Sequence, residues 1–223
     1  MAADSQAVPA DPPADCRICP RLSAFRDENR QAYPDWYNGA VPAWGDADPK
    51  LIIVGLAPGL KGANRTGRPF TGDYAGDLLY QTLARAGCSS GTYAAKPDDG
   101  LQLHDVSIVN AVRCVPPQNK PVGAEIAACR PFLLANLAAH SSAKIFLALG
   151  RIAHDSLLTT LGCKRSAFPF GHGARHDLPD GQVLYDSFHC SRYNTNTGRL
   201  TTEMFEDVVF KAVAEATGRP VPL

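Results

Sequence analysis

Four short apolar runs punctuate the chain: LIIVGL at 51–56, VSIVNAV at 106–112, KIFLAL at 144–149 and QVLYDSF at 182–188. Each is short and apolar at consecutive rather than alternate positions, the pattern of strands buried on both faces of a parallel sheet. Between them the pattern becomes helical. Residues 73–86 carry Leu78, Leu79, Leu83 and Ala86, 122–139 is rich in alanine and leucine, 151–161 follows the third run, and 201–216 follows the fourth. Alternating strands and helices build βαβ units with right-handed crossovers. The expected fold is α/β, a three-layer α/β/α sandwich with a central four-stranded parallel sheet. No internal repeat is visible, and the Gly, Ser and Asp content of 88–102 reads as a surface loop.

Open α/β sheets bind ligands beyond the carboxyl ends of their strands. The segments after the four runs are GLAPGLKGANRTGRPFTGD, NAVRCVPPQNKPVG, GRIAH and HCSRYNTNTGRLT. Gly, Asn, Pro, Arg and His, the types that make polar ligand-contacting loops, are frequent in them.

Composition narrows the class. Of 223 residues 45% are apolar and 20% charged, ordinary for a soluble globular domain and too apolar for extensive disorder. The expected organisation is a disordered, Ala/Pro-rich lead-in over 1–14 and a single domain over 15–218. No apolar stretch approaches the ~20 residues that a membrane span needs. The N-terminus has no basic start followed by an apolar run, so it does not read as a secretory signal. A cytoplasmic, monomeric protein is expected, with no membrane partner.

Seven cysteines is an odd count and argues against a disulfide framework. Cys16 and Cys19 form a C-x-x-C, Cys114 follows the second apolar run, and Cys129 lies on the next helical segment. Four thiolates can hold a [4Fe–4S] cluster or a zinc ion. By spacing alone Cys114 and Cys129 read equally well as buried apolar residues. Cys88, Cys163 and Cys190 fit no pairing and read as core or surface thiols.

GLAPG at 55–59, GANRTGRPFTGD at 62–73, NAVRC at 110–114 and HCSRYNTNTGRLT at 189–201 resemble the motifs of the uracil-DNA glycosylase superfamily. The resemblance runs from about Cys16 to Thr201 and is strongest to family 5, the type-B enzymes that carry an iron–sulfur cluster. It implies a DNA glycosylase of base excision repair that hydrolyses the N-glycosidic bond of uracil in double-stranded DNA. It also implies a [4Fe–4S] cluster, in preference to zinc, on Cys16, Cys19, Cys114 and Cys129, with a structural role.

Such an enzyme flips its target base into a pocket. Phe70 matches the family's stacking aromatic, and Asn110 its reader of the uracil edge, an amide with one acceptor and two donors. His189 matches the catalytic histidine, which donates to the base as it departs as an anion. The other histidines have no such context. Well-studied families place Asp or Asn where this chain has Ala57, which leaves Asn64 and Asp73 as candidates for activating water. Only Asp73 can act as a base, and it also reads as a helix N-cap. Gly55 and Ala57 complete the first motif. At Gly59, where uracil-selective families carry a bulky tyrosine, the pocket should be roomier, admitting hypoxanthine and xanthine. Ser191, Arg192 and Tyr193 occupy the segment that supplies a wedge into the opened helix.

A phosphate-cradling α/β protein is disfavoured, because neither G-x-x-x-x-G-K-[ST] nor G-x-G-x-x-G is present. An iron–sulfur electron carrier would leave RTGRPF and SRYNTNTGRLT without a role. A lesion-binding protein that does not cut stays open, given Ala57.

Zero net charge speaks against DNA only until it is counted by segment. Residues 56–72, 110–123, 162–176 and 189–202 hold Lys61, Arg65, Arg68, Arg113, Lys120, Lys164, Arg165, Arg175, Arg192 and Arg199, and no Asp or Glu. A basic rim at the strand ends and an acidic back are expected, with Arg65 and Arg68 among the DNA contacts.

Overall fold

The computed structural model describes residues 10–220. Four five-residue strands, β2 (Leu51–Gly55), β5 (Val106–Asn110), β6 (Ile145–Leu149) and β8 (Val183–Ser187), are buried at every position. They pair in parallel in the order β5-β2-β6-β8. Each lies within an apolar run, as consecutive burial requires. Two short antiparallel strands extend the sheet to six: β1 (Trp44–Gly45) beside β5, and β7 (Arg175–Asp177) beside β8. Neither has an apolar period to announce it. A separate pair, β3 (Ser89–Ser90) and β4 (Gln102–Leu103), closes the base of the segment expected to be a plain loop.

Helices cover both faces. One layer is α3 (Tyr74–Arg85) and α7 (Thr202–Thr217), whose Leu79, Leu83, Phe205 and Val209 pack with Leu51, Ile53 and Leu147. The other is α4 (Gly123–Ala139) and α5 (Arg151–Thr160), whose Leu133, Leu137, Leu157 and Leu158 pack with Ile52, Val54 and Phe146. Alternate strand residues thus feed opposite cores, giving the three layers. The helix starts are locally encoded: Asp73 accepts from Gly76 N, and Thr201 from Met204 N.

A further helix, α1 (Pro20–Ala32), lies outside this frame. Pro20 opens it, where a missing N–H costs nothing. Its Leu22 packs with Ala40, Val112 and Cys114 in a third, small core. Two short helices, α2 (Ala63–Thr66) and α6 (Arg192–Asn196), sit in the segments after β2 and β8.

The expected lead-in over 1–14 is described only in part. Residues 1–9 lie outside those described, but 10–14 are tied down. Arg113 donates to Ala10 O at 3.2 Å and pairs with Asp11 at 2.8 Å, and Ala40 N donates to Ala14 O at 2.8 Å. Among the described residues no helix is long and apolar enough to cross a membrane.

Leu147 has no exposed surface and lies on a central strand, in contact with the α3 and α7 core. Leu147→Ala should cost about 2–5 kcal/mol, read as a lower urea midpoint at unchanged slope.

Candidate active site

Register sets the site. Gly55 pairs opposite Asn110 and Leu149 opposite Ser187, so the four central strands end level. The segments that follow enclose one cavity of about 730 Å³. Ala57 and Gly59 line it after β2, Asn110 at the end of β5 and Asn119 beyond it, Gly150, Arg151 and Ile152 after β6, and His189 with Ser191, Arg192 and Tyr193 after β8. Phe70, Asp73 and Tyr74 complete the wall.

Gly55 makes the floor possible. A Cβ there would stand 2.3 Å from Asn110 Oδ1 and 2.8 Å from the Phe70 ring. Asn110 is 3% exposed, and its Oδ1 has no partner among the described residues. The Phe70 ring lies nearly parallel to His189, centroids 5.8 Å apart. His189 Nδ1 is also buried and unpartnered, while Asn194 Nδ2 donates to its carbonyl at 2.8 Å. Burial pulls the His189 pKa down to about 4, so the ring is neutral at pH 7. An unpaired buried polar atom costs about 1–3 kcal/mol. Two of them on residues lining one cavity suit a polar ligand.

Asp73 caps a helix and also lines the cavity. Oδ1 caps α3 through Gly76 N at 3.2 Å, while Oδ2 lies over Gly59 and Gly62, where a Cβ would come within 2.9 and 2.2 Å. Burial raises its pKa, opposed by the backbone hydrogen bond from Gly76. Asn64 is not at the cavity. It is fully buried, with Nδ2 donating to Asn38 Oδ1 at 2.9 Å and its backbone carbonyl accepting from Asn38 N at 2.9 Å.

The basic rim is smaller than the sequence count. Arg68 is 4% exposed and forms a bidentate pair with Asp99 at 2.7 and 2.8 Å, so it cannot contact DNA. Arg113 is buried against Asp11, while Arg165 pairs with Asp155 and Arg175 with Asp177 and Glu215. All these acids lie outside the counted segments. Lys61 and Arg192 stay at the cavity, and Arg65 runs past it, 3.4 Å from Gly72 O. The count missed Arg151, which lines the cavity with its guanidinium 5.4 Å from the Phe170 ring. Ser191 caps α6, Arg192 lies over Tyr74 at 5.5 Å, and Tyr193 is 73% exposed. Asn119, Tyr74 and Ile152 were also missed. Of these only Asn119 had a signal, in the turn chemistry of PPQN: it adopts φ 56°, which asparagine tolerates.

The four cysteines converge, although three separate segments carry them. Cys16, Cys19, Cys114 and Cys129 line one small cavity walled by Leu22, Val112 and Phe132. Arg26 Nη1 donates to Cys114 Sγ and Arg113 N to Cys129 Sγ, each at 3.4 Å. Burial raises the thiol pKa of Cys19 and Cys129 and pushes that of Cys114 up to about 12. Among the described residues the group of metal-ligating atoms within 4.8 Å of one another is His154, His176 and Asp186; the thiols form no such tight group. Cys88 and Cys190 are buried in the core of α3 and α7, and Cys163 is partly buried beside the other core.

Comparison with known proteins agrees with this architecture. The family model described as the uracil DNA glycosylase superfamily matches residues 42–212. A type-5 uracil-DNA glycosylase of Thermus thermophilus is 46% identical over 203 residues, covering 88% of this chain and 92% of that one. The type-5 enzyme of Mycobacterium tuberculosis is 41% identical over 205 residues, 88% and 76% of the two chains. That of Pyrobaculum aerophilum is 38% identical over 205 residues, 90% and 89%.

The His189 pKa fixes a pH window. The unfolded chain protonates this histidine near 6.5 and the folded one only near 4, so between them the unfolded state holds more protons. His189 should therefore lower stability as pH falls from 6.5 to 4, and His189→Gln should flatten that slope in urea titrations.

Proposed function

The chain belongs to the uracil-DNA glycosylase superfamily, and on that premise we propose that it is a DNA glycosylase of base excision repair. It hydrolyses the N-glycosidic bond of uracil, and of hypoxanthine and xanthine, flipped out of double-stranded DNA. The observation that carries this reading is the pairing of unpartnered buried polar atoms on Asn110 and His189 with the Phe70 ring in one cavity.

In this reading the base stacks on Phe70 and its edge bonds to the Asn110 amide. The bond from C1′ to the base nitrogen breaks with both electrons leaving on the base. The neutral His189 imidazole donates an N–H to the oxygen where that charge collects. Asp73 Oδ2, over Gly59, stabilises the sugar cation and takes the proton of the attacking water. Arg192 and Tyr193 fill the space the base vacates, and Lys61, Arg65 and Arg151 hold phosphates.

The cavity volume of about 730 Å³ and the bare Gly59 support a range beyond uracil. Excision assays on duplexes containing each base decide this. The natural chain should release uracil, hypoxanthine and xanthine. His189→Ala and Asp73→Ala should each lose on the order of 10²–10³-fold in rate. Gly59→Tyr should abolish purine release; because its Cβ would meet Asp73 Oδ2 at 2.9 Å, uracil release should fall too. Strict uracil selectivity of the natural chain would rule out the wider range.

A [4Fe–4S] cluster on Cys16, Cys19, Cys114 and Cys129 is part of the proposal. A single zinc with Zn–S of about 2.3 Å draws its four sulfurs to about 3.8 Å of one another. The looser thiol set around an apolar cavity is better matched to a cluster. Thiols whose protons are retained through burial release them to a metal, and the buried guanidinium of Arg26 offsets the negative charge that results. When bound, the cluster supplies a cross-link between the start of α1, the segment after β5 and α4. Purified protein should show broad visible absorbance, lost in Cys16→Ser together with thermal stability. A colourless protein with one equivalent of zinc would replace the cluster by that ion.

A further inference from the structure

Phe70 adopts φ 51°, a left-handed conformation that a bulky L residue keeps only when its surroundings impose it. The source of that constraint lies in the segment between β3 and β4. We propose that Asp99 is a positioning residue for Phe70, and that through Arg68 it sets the face on which the flipped base stacks. The inference rests on Phe70 being the base platform, as proposed above.

The Asp99 carboxylate is 1% exposed and accepts from both terminal nitrogens of Arg68, at 2.8 and 2.7 Å. It also accepts from Ala94 N at 2.9 Å and Leu101 N at 3.1 Å, which folds its own segment around it. The Arg68 guanidinium holds it well below the usual carboxylate range, so it is ionised at any working pH. Arg68 lies against aromatic rings as well as being paired: its guanidinium is 4.7 Å from the Trp44 ring centroid and 5.6 Å from that of Tyr80. From this anchored position Arg68 Nε donates to Thr71 Oγ1 at 2.7 Å, so the residues on either side of Pro69–Phe70 are locked together.

The carbonyls of the turn are held from the same side. Tyr80 donates its hydroxyl to Pro69 O at 2.6 Å. Tyr93, from the Asp99 segment, donates to Phe70 O at 3.4 Å and accepts from Gly72 N at 3.3 Å. The turn is pressed onto α3, because a Cβ at Gly76 would fall 1.6 Å from Phe70 O. None of these groups belongs to the cavity apart from Phe70 and Gly72. A segment that reads as a plain loop therefore braces the stacking ring from behind.

Asp99→Asn keeps the shape and removes the charge, leaving Arg68 a buried cation with half a partner. The turn then relaxes, and the ring leaves its place while Asn110, His189 and the phosphate contacts stay. The single-turnover rate on a uracil duplex should fall about tenfold, in line with the effect of small misplacements, with the KM for DNA within about twofold. Tyr93→Phe, which removes one hydroxyl, should lose about threefold by the same route. In a Phe70→Leu background both losses should shrink to under about twofold, because the ring they position is gone. Losses that multiply fully with Phe70→Leu would overturn the proposal.

A readout independent of activity separates this from the function itself. With 4-fluorophenylalanine at position 70, the fluorine resonance should be a single sharp line that shifts or broadens in Asp99→Asn and Tyr93→Phe. An unchanged line in both overturns the brace whatever the enzyme does. A shifted line in a protein that releases no base leaves the brace standing and removes the glycosylase reading instead.

Discussion

Asn110 and the Phe70 ring occupy the space that a Cβ on Gly55 would fill. The rest of the site is arranged around that close approach. Because β2 and β5 are paired in register, Gly55 and Asn110 face each other at the same level of the sheet. The amide therefore sits at the floor, on a fully buried strand, with little freedom to turn. The Phe70 ring can lie against the same glycine only because its backbone is left-handed and its carbonyl presses on another glycine, Gly76. Two missing side chains thus bring a polar reader and a flat apolar face to one point. A loop site without such crowding would have to order these groups when ligand binds, at a cost in entropy.

Charge is disposed by the same logic of burial. An arginine in the interior is tolerated only with partners, and breaking such a pair costs about 3–5 kcal/mol. Arg68 finds Asp99, and Arg113 finds Asp11 and the carbonyls of Ala10 and Val41. Arg26 lies between Asp15, the Cys16 carbonyl and the Cys114 sulfur. His154, Asp186 and His176 form a hydrogen-bonded chain beneath the segment that carries Phe168, at 2.7 and 3.0 Å. The three buried arginines stabilise loops and do not serve the surface field. What remains near the mouth is Lys61, Arg65, Arg151 and Arg192, with Asp73 the acid in the cavity wall. Cations thus gather near the mouth, while the molecule as a whole is neutral.

The central strands and the four flanking helices were legible because burial on both faces of a strand, or on one face of a helix, leaves a period in the sequence. Their observed ends fall within one or two residues of the apolar runs. The edge strands β1 and β7 and the helix α1 left no such period. Each is short or half-exposed, and its conformation is decided by what it lies against. Within the site, Phe70, Asp73, Asn110 and His189 were legible through motif resemblance and through their place after a strand end. Asn64 and Arg68 belonged to the same motif, and nothing in the sequence separates a residue facing the cavity from one facing away. Arg151 and Asn119 were absent because single side chains at the start of a helix or in a turn carry no pattern.

The sequence by itself determined the layers, the strand ends that bear the site, and the presence of four thiols, a neutral total charge and a glycine-rich first motif. These are properties of local period, residue type and spacing. The tertiary structure alone decided which cations are free, which asparagine reaches the cavity, that three separate segments bring their cysteines together, and that the segment between β3 and β4 holds Phe70 in place. Each of these depends on contacts between residues far apart in the chain. Their energies come from burial and from partners, and neither is written in the residues taken one at a time.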